Sequence, residues 1–359
     1  MGRARFVQSI VLVAVAAIAL SGCSLFKGDE DDSCDATPTS PCPPPIPLTD
    51  ALSQGFDSLM QQSDMSGGAC SFSVRRRNSV VLERGGGRFP SGALADADSV
   101  YRIASLTKPI TTATVLMLEQ QGRLRRLDSA SLYLPGLNPR LTIDELVRHA
   151  PGLPNYVETS EYAQFRTIPI SASELLNVVT RLPWDGLYRN SYSNTHYVLL
   201  GAVIARVTGT PYETFVTEQV FRRLAMSRSS FGMPLESPSQ PRIQTHPAWA
   251  YSAGAVISTA RDLAQFDQAL LSGSLGFAAL DTFSNGGPFN SAGWYVDRSR
   301  NELSFWHNGL LDGYSGFNAV FPSDQASVVV LCNVESTSRL EDFVLRSPAG
   351  VRATMLRYP

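Results

Sequence analysis

An α+β fold, with an antiparallel sheet flanked by helices and an all-helical lobe beside it, is predicted by where two hydrophobic periodicities fall along this chain. Strand-like segments stand near both ends of its folded part: SFSVRRR and SVVLERGG early, then ELSFWHNG, FNAVFPS and ASVVVLCNV late. The stretch between them, from about Ser105 to Phe266, is mostly helical in pattern, so one sheet is completed late and encloses a helical insertion. The 359 residues, 43% hydrophobic and 17% charged, suffice for a real core. A formal charge of −2 argues against nucleic-acid binding, and the strongest basic cluster, Arg75-Arg76-Arg77, reads as the end of a surface strand.

At the N-terminus, Arg3 and Arg5 precede an apolar run from Ile10 to Leu20 and then Ser21-Gly22-Cys23, the layout of a secretory signal over residues 1–22. That run is too short to span a bilayer as a mature helix. The ending LSGC resembles the bacterial lipobox, which would make Cys23 the lipid-modified first residue of an exported, membrane-anchored protein facing the periplasm or cell surface; an ordinary signal peptide is the alternative. Ser24 points toward the outer membrane. Residues 23–48 read as a tether, with the acidic GDEDD followed by the proline-rich PTSPCPPPIP. At about 3.1 Å per residue it would reach roughly 80 Å. It carries Cys34 and Cys42, which an oxidising compartment could join.

The folded domain is expected over residues 49–359. It opens on a helix in which Leu48, Leu52, Phe56 and Leu59 recur at helical spacing, with Thr49 or Asp50 available as a cap. The first two strands are joined by a turn around Asn78. Cys70 and Cys332 lie in apolar strand-like stretches and read first as two buried thiols, with a bridge between them as the alternative.

The chemistry begins in YRIASLTKPI. Ser105 and Lys108 are three apart and share one helix face. Pro109 is tolerated only in a first turn, which sets Ser105 at the N-terminus of an apolar helix from Pro109 to Gln121, where free N–H groups favour developing negative charge. The chain has 28 arginines and two lysines, and the other lysine, Lys27, is in the tether. Arginine cannot give up its proton in a protein, whereas a buried lysine can, so Lys108 reads as the base for a Ser105 nucleophile.

A second element, Tyr192-Ser193-Asn194, precedes a helix from about Thr195 to Val207 closed by Gly209. Asn194 is either a helix cap or a site residue, and Tyr192 either a packing aromatic or a site residue. A third, SFWHNGLLDGY, sets the cationic or hydrogen-bonding His307 on a strand beside Gly309, a residue too small to block a substrate. His149, His196 and His246 read as structural.

Together, Ser105/Lys108, Tyr192/Asn194 and His307/Gly309 resemble, in order, the Ser-x-x-Lys, Tyr-x-Asn and Lys/His-x-Gly motifs of the serine β-lactamase-related family, which includes class C β-lactamases, D-alanyl-D-alanine carboxypeptidases and esterases. LTIDELVRHAPGLP and SAGAVISTARDLAQF resemble its flanking segments, and the likeness runs from Met65 to Val334. It implies the β-lactamase/transpeptidase-like fold, with the active site between sheet and helical lobe. It also implies an acyl-enzyme on Ser105, and proton transfer shared by Lys108 and Tyr192, with Tyr192 the base in deacylation. The oxyanion hole would come from the N–H groups of Ser105 and Leu310. Asn194 would hold a substrate amide or the lysine, and His307 would meet a carboxylate or ester edge.

No metal or organic cofactor is implied. The chain departs from the family in three places. His307 replaces the usual class C lysine, Ala150-Pro151-Gly152 replaces a frequent Thr-Ser-Gly, and His196 stands for a glycine, which would narrow the cleft. The short stretch from Gly232 to Pro247 would leave the groove open. The expected function is therefore a monomeric serine hydrolase of D-alanyl peptides or small esters at the cell envelope. A class C-like β-lactamase and an inactive peptidoglycan-binding lipoprotein are the alternatives.

Overall fold

Alternating apolar side chains on three late strands and one early strand build the centre of the fold. The computed structural model describes residues 46–187, 191–274, 293–298, 303–347 and 350–358. The signal segment, Cys23, Lys27 and the tether cysteines lie outside the described residues. The strands are β1 (Cys70–Arg76), β2 (Ser79–Gly86), β3 (Tyr101–Arg102), β4 (Ser230–Phe231), β5 (Val256–Ser258), β6 (Tyr295–Asp297), β7 (Ser304–Leu311), β8 (Tyr314–Phe321) and β9 (Ala326–Cys332). The main sheet has the order β2-β1-β9-β8-β7-β6 and is antiparallel throughout, so the late strands do complete a sheet begun early.

Two-residue turns fix its register. Arg77 (φ 50°) and Asn78 (φ 61°) link β1 to β2, and Asp312 (φ 46°) and Gly313 (φ 97°) link β7 to β8. Positive φ at both central positions matches the right-handed twist of the strands they join. Along β9, Val328 and Val330 pack toward one face with Phe72, Phe317 and Phe321, while Val329 and Leu331 pack toward the other.

The first face is covered by α1 (Leu48–Met60) and by two short C-terminal helices, Thr337–Glu341 and Val351–Leu356. Helix α1 begins one residue ahead of the predicted caps: Pro47 precedes it and no side chain caps it. Its capping is unnecessary because Leu52, Phe56 and Leu59 are anchored in the core.

The other face carries the helical lobe. It comprises α2 (Thr107–Gln120), α3 (Ile143–Val147), α4 (Ser160–Phe165), α5 (Ala172–Thr180), α6 (Asn194–Thr208), α7 (Tyr212–Val216), α8 (Pro247–Gly254) and α9 (Ala260–Leu271). Helix α9 lies against β1 and β9, and α2 packs on α6 and α8. A small sheet of order β3-β5-β4, two of whose strands fall within the region read as helical, ties the chain just before Ser105 to the segment after α8. Its strands are two or three residues long, too short to leave a periodic trace in sequence.

The expectation of two separate thiols is overturned: Cys70 and Cys332 form a disulfide. They are direct partners in the β1–β9 ladder, with Cα atoms 4.1 Å apart. Strand pairing and register, which neither segment reveals alone, bring them together. The bond closes a loop of 262 residues, joining the first and last strands of the sheet. Replacing both cysteines by serine should lower unfolding free energy by about 2–4 kcal/mol, read from urea denaturation; an unchanged midpoint would show that the bridge does not constrain the unfolded chain.

Candidate active site

The nucleophile turn is held from both sides. Before it, Ile103 N–H donates to Val256 O (3.1 Å), and the Tyr101 hydroxyl meets Ser71 Oγ of the main sheet at 3.0 Å. Ala104 then takes a left-handed conformation (φ 50°), and Ser105 sits in a 3-10 turn leading into α2. Pro109 falls in the first turn of α2, as its missing N–H requires, although the helix starts two residues earlier than predicted. From Thr107 to Leu118 every residue of α2 is buried. On the other side lies β7. A Cβ on Gly309 would stand 2.3 Å from the Ile103 carbonyl oxygen. Its smallness therefore admits the nucleophile turn to the strand, rather than making room for substrate.

Lys108 has no solvent exposure. Its Nζ lies 2.9 Å from Ser105 Oγ, 2.8 Å from Asn194 Oδ1 and 2.9 Å from the Ala253 carbonyl. Burial holds its pKa well below the ordinary lysine value. Asn194 is oriented by Asn155, whose Oδ1 accepts from Asn194 N (3.1 Å) and Nδ2 (3.3 Å), leaving Oδ1 to face the amine. The cap of α6 is Ser193, whose Oγ accepts from Thr195 N. That settles the alternatives left open for Asn194: it is not the cap. Ala253 reaches Lys108 because α8 breaks at Tyr251 (φ 39°, ψ −133°) and turns its last carbonyls inward.

Tyr192 donates its hydroxyl proton to Ser105 Oγ at 2.7 Å, and Lys108 Nζ lies 4.8 Å from the centre of its ring. Burial pushes the phenol well above its ordinary value. Behind the ring sit His149 (centroids 4.6 Å apart) and His307 (6.3 Å). His196 does not narrow the cleft; it is buried behind Tyr192, bonded to His149 through their Nδ1 atoms at 2.8 Å. Leu153 N donates to His196 Nε2 (3.2 Å), so the His196 proton is on Nδ1 and is given to His149. Burial depresses all three imidazoles, His196 and His307 to about 3.

His307 does not face a substrate as expected. Its ring is 3% exposed, packs 5.0 Å from Tyr295, and its Nδ1 lies 2.5 Å from the Asn308 carbonyl. Strand β6 pairs alongside β7 up to Trp306, which brings its Tyr295 ring against His307.

Beside Ser105 opens a cleft of about 260 Å³, lined among others by Tyr156, Tyr162, Asn194, Leu310 and Leu311. Leu310 is 53% exposed. It pairs with Ser315, one step from the Leu311–Tyr314 pair that closes the two-residue turn. Pairs alternate along an antiparallel ladder, so the Leu310 N–H points away from β8, along an edge that β6 does not reach. The end of the cleft beyond Leu311 is not left vacant by the short Gly232–Pro247 stretch. Thr245 N donates to Asp312 Oδ2 (2.7 Å), and Arg166 bridges to Asp312 Oδ1 (2.8 Å).

Sequence reasoning named Ser105, Lys108, Tyr192, Asn194, Gly309 and Leu310, and the fold gathers them. It missed Asn155 and the Ala253 carbonyl. The first had no periodic or motif signal, and the second is a backbone atom exposed by a helix break.

A serine, a buried lysine and a tyrosine at the junction of an antiparallel sheet and a helical lobe define a family, and residues 52–349 match the Beta-lactamase family. The chain belongs to it. Protein flp of Staphylococcus aureus (strain MW2) is 26% identical over 333 residues, covering 80% of this chain and 64% of its own length, so the chain spans less than two thirds of that relative. Among solved structures, a D-stereospecific amidohydrolase from Streptomyces sp. superposes with a TM-score of 0.68 at 24% identity, over 82% of this chain and 98% of its own. A β-lactamase/D-alanine carboxypeptidase from Pseudomonas syringae gives 0.72 at 17%, over 87% and 99%. At these identities the structural likeness establishes the fold.

Two outcomes follow from the packing. Gly309→Ala must displace the nucleophile turn, so it should lower both the thermal midpoint and any Ser105-dependent turnover; wild-type values for both would show that the approach to Ile103 is slack. The depressed imidazoles bind fewer protons folded than unfolded, so stability they contribute is present above about pH 6.5 and is lost as pH falls toward about 3. His196→Gln should make the fall in unfolding free energy across that window shallower by about 1 kcal/mol per pH unit, measured by denaturant titration at a series of pH values.

Proposed function

We propose that this chain is a serine hydrolase that works through an acyl-enzyme on Ser105, acting on amide or ester substrates, D-alanyl-peptide carboxypeptidase-like or esterase in kind. The observation that carries this is the setting of Lys108. A neutral amine has two N–H bonds and one lone pair. The Asn194 and Ala253 oxygens can only accept, and they use the two N–H bonds. The lone pair is left for the Ser105 hydroxyl, while Tyr192 donates to the same oxygen.

In this mechanism the Ser105 proton passes to Lys108 as Oγ bonds to the substrate carbonyl carbon. The N–H groups of Ser105 and Leu310 hold the resulting oxyanion, each donor worth about 3 kcal/mol in serine hydrolases. The tetrahedral intermediate expels its leaving group, which takes the Tyr192 proton, and Tyr192 is restored from Lys108. Water then repeats the sequence on the acyl-enzyme, with the same pair moving its proton. Because burial raises the phenol and lowers the amine, Lys108 is the resting base and Tyr192 the resting acid. This reverses the roles expected for deacylation from the family likeness.

The D-specific amidohydrolase and carboxypeptidase among the structural neighbours support a D-amino-acyl substrate. The buried, neutral His307 supplies no cation for a carboxylate, which favours esters and amides without a carboxylate on the leaving side over β-lactams. A lipid anchor on Cys23 and a place at the cell envelope complete the proposal, carried by the LSGC segment alone.

Incubating the protein with a penicillin or an activated ester and following intact mass should give an adduct that is lost in Ser105→Ala. No Ser105-dependent adduct or turnover with either reagent would overturn the reading. Lys108→Met removes the amine without adding a buried charge, and should lower kcat/KM by about 10²–10⁴ at an unaltered fold. Near-wild-type turnover would remove Lys108 from its role.

A further inference from the structure

Strand β7 carries the site in a fixed order. His307 lies behind Tyr192, Leu310 and Leu311 line the cleft, and Asp312 begins the turn at its far end. A leaving group must take its proton from Tyr192, so it departs toward the His307 end. The acyl portion then lies along Leu310 and Leu311, toward Asp312.

That end is built from charged groups. Asp312 is saturated: Oδ1 accepts from Arg166 Nη1 (2.8 Å), and Oδ2 from Arg102 Nη1 (3.1 Å) and Thr245 N (2.7 Å). Two guanidiniums therefore share one carboxylate. Arg102, 2% exposed, has its Nη2 buried without a hydrogen-bond partner among the described residues. Arg166 stands one turn after the cleft-lining Tyr162 on α4. Both side chains meet Thr245 Oγ1, Arg166 at 2.6 Å and the Tyr162 hydroxyl at 3.3 Å. The Arg166 side chain is 25% exposed, spends Nη1 on Thr245 Oγ1 and Asp312 Oδ1, and has the Tyr162 hydroxyl as a further neighbour. The group is thus rigid, partly desolvated and net positive, and the five N–H donors of the Arg166 guanidinium outnumber the three partners it has here.

We infer that Arg166 forms an anion subsite at the acyl end of the cleft, selecting acyl donors whose acyl portion carries a carboxylate a short spacer away from the scissile carbonyl. Two residues of extended strand separate Leu310 from Asp312, about 7 Å, which sets the spacer at a few carbon atoms. A charge-assisted bond from a pre-positioned guanidinium gives the preference its strength. This inference rests on the acyl-enzyme reading of Ser105.

The test compares p-nitrophenyl monoesters of succinic, glutaric and adipic acids with the p-nitrophenyl esters of the uncharged acids of equal chain length, subtracting the rate of Ser105→Ala. Wild type should favour the best anionic ester over its neutral counterpart by at least about tenfold in kcat/KM. Arg166→Gln should erase that ratio, Arg166→Lys should keep part of it, and raising ionic strength should shrink it in wild type. A ratio near unity in wild type, or one that survives Arg166→Gln, overturns the inference. If Arg166→Gln does not fold, a wild-type ratio indifferent to salt overturns it equally. Absence of Ser105-dependent turnover in both series overturns the acyl-enzyme reading itself and this inference with it.

Discussion

Removing a lysine side chain wholly from water is unfavourable by several kcal/mol when it keeps its charge, and Lys108 has neither an acidic partner among the described residues nor any exposure to offset that. The way out is to lose the proton. The fold arranges this by giving Nζ two carbonyl-type acceptors and a serine hydroxyl, a set that suits a neutral amine. Much of the surrounding structure serves to keep those oxygens in place. Asn155 turns the Asn194 amide, the break in α8 at Tyr251 aims the Ala253 carbonyl, and buried α2 carries the amine itself.

Backbone conformations that L-residues rarely adopt concentrate around this amine. Ala104 precedes the nucleophile, His149 supports Tyr192 and Tyr251 precedes the lysine-binding carbonyl, and all three have positive φ. Such positions are unfavourable by about 1–3 kcal/mol each and persist where packing on all sides enforces them. Here the enforcing elements are β7, which meets Ile103 across Gly309, the paired imidazoles of His149 and His196, and the contact of Gly201 with Ser252. The disulfide between β1 and β9 secures the sheet from which β7 is presented.

What the sequence disclosed follows the range of each interaction. Ser105 and Lys108 are one turn apart, so Pro109 and the scarcity of lysine were enough to mark them. The periodicities of α1, β8 and β9 are local and likewise legible. The Cys70–Cys332 bridge depends on register between strands far apart in the chain, and the sequence favoured free thiols. His307 was assigned to substrate because of its motif, but the ring packs against Tyr295, a contact made by β6. His196 was expected to crowd the cleft, and only the fold reveals His149 and the Leu153 N–H waiting for it. The Ala253 carbonyl left no trace at all, since any residue type has one.

The protonation state of Lys108 is the point on which this account stands, and the composition makes it directly observable. Lys27 is the only other lysine, so lysine labelled with carbon-13 at the ε position gives two resonances, and Lys27→Arg assigns them. The account predicts that the Lys108 signal titrates well below the ordinary lysine range, with Asn194→Ala altering its midpoint. A midpoint near the ordinary value of about 10.4 would mean a charged ammonium at rest, and would contradict Lys108 as the base.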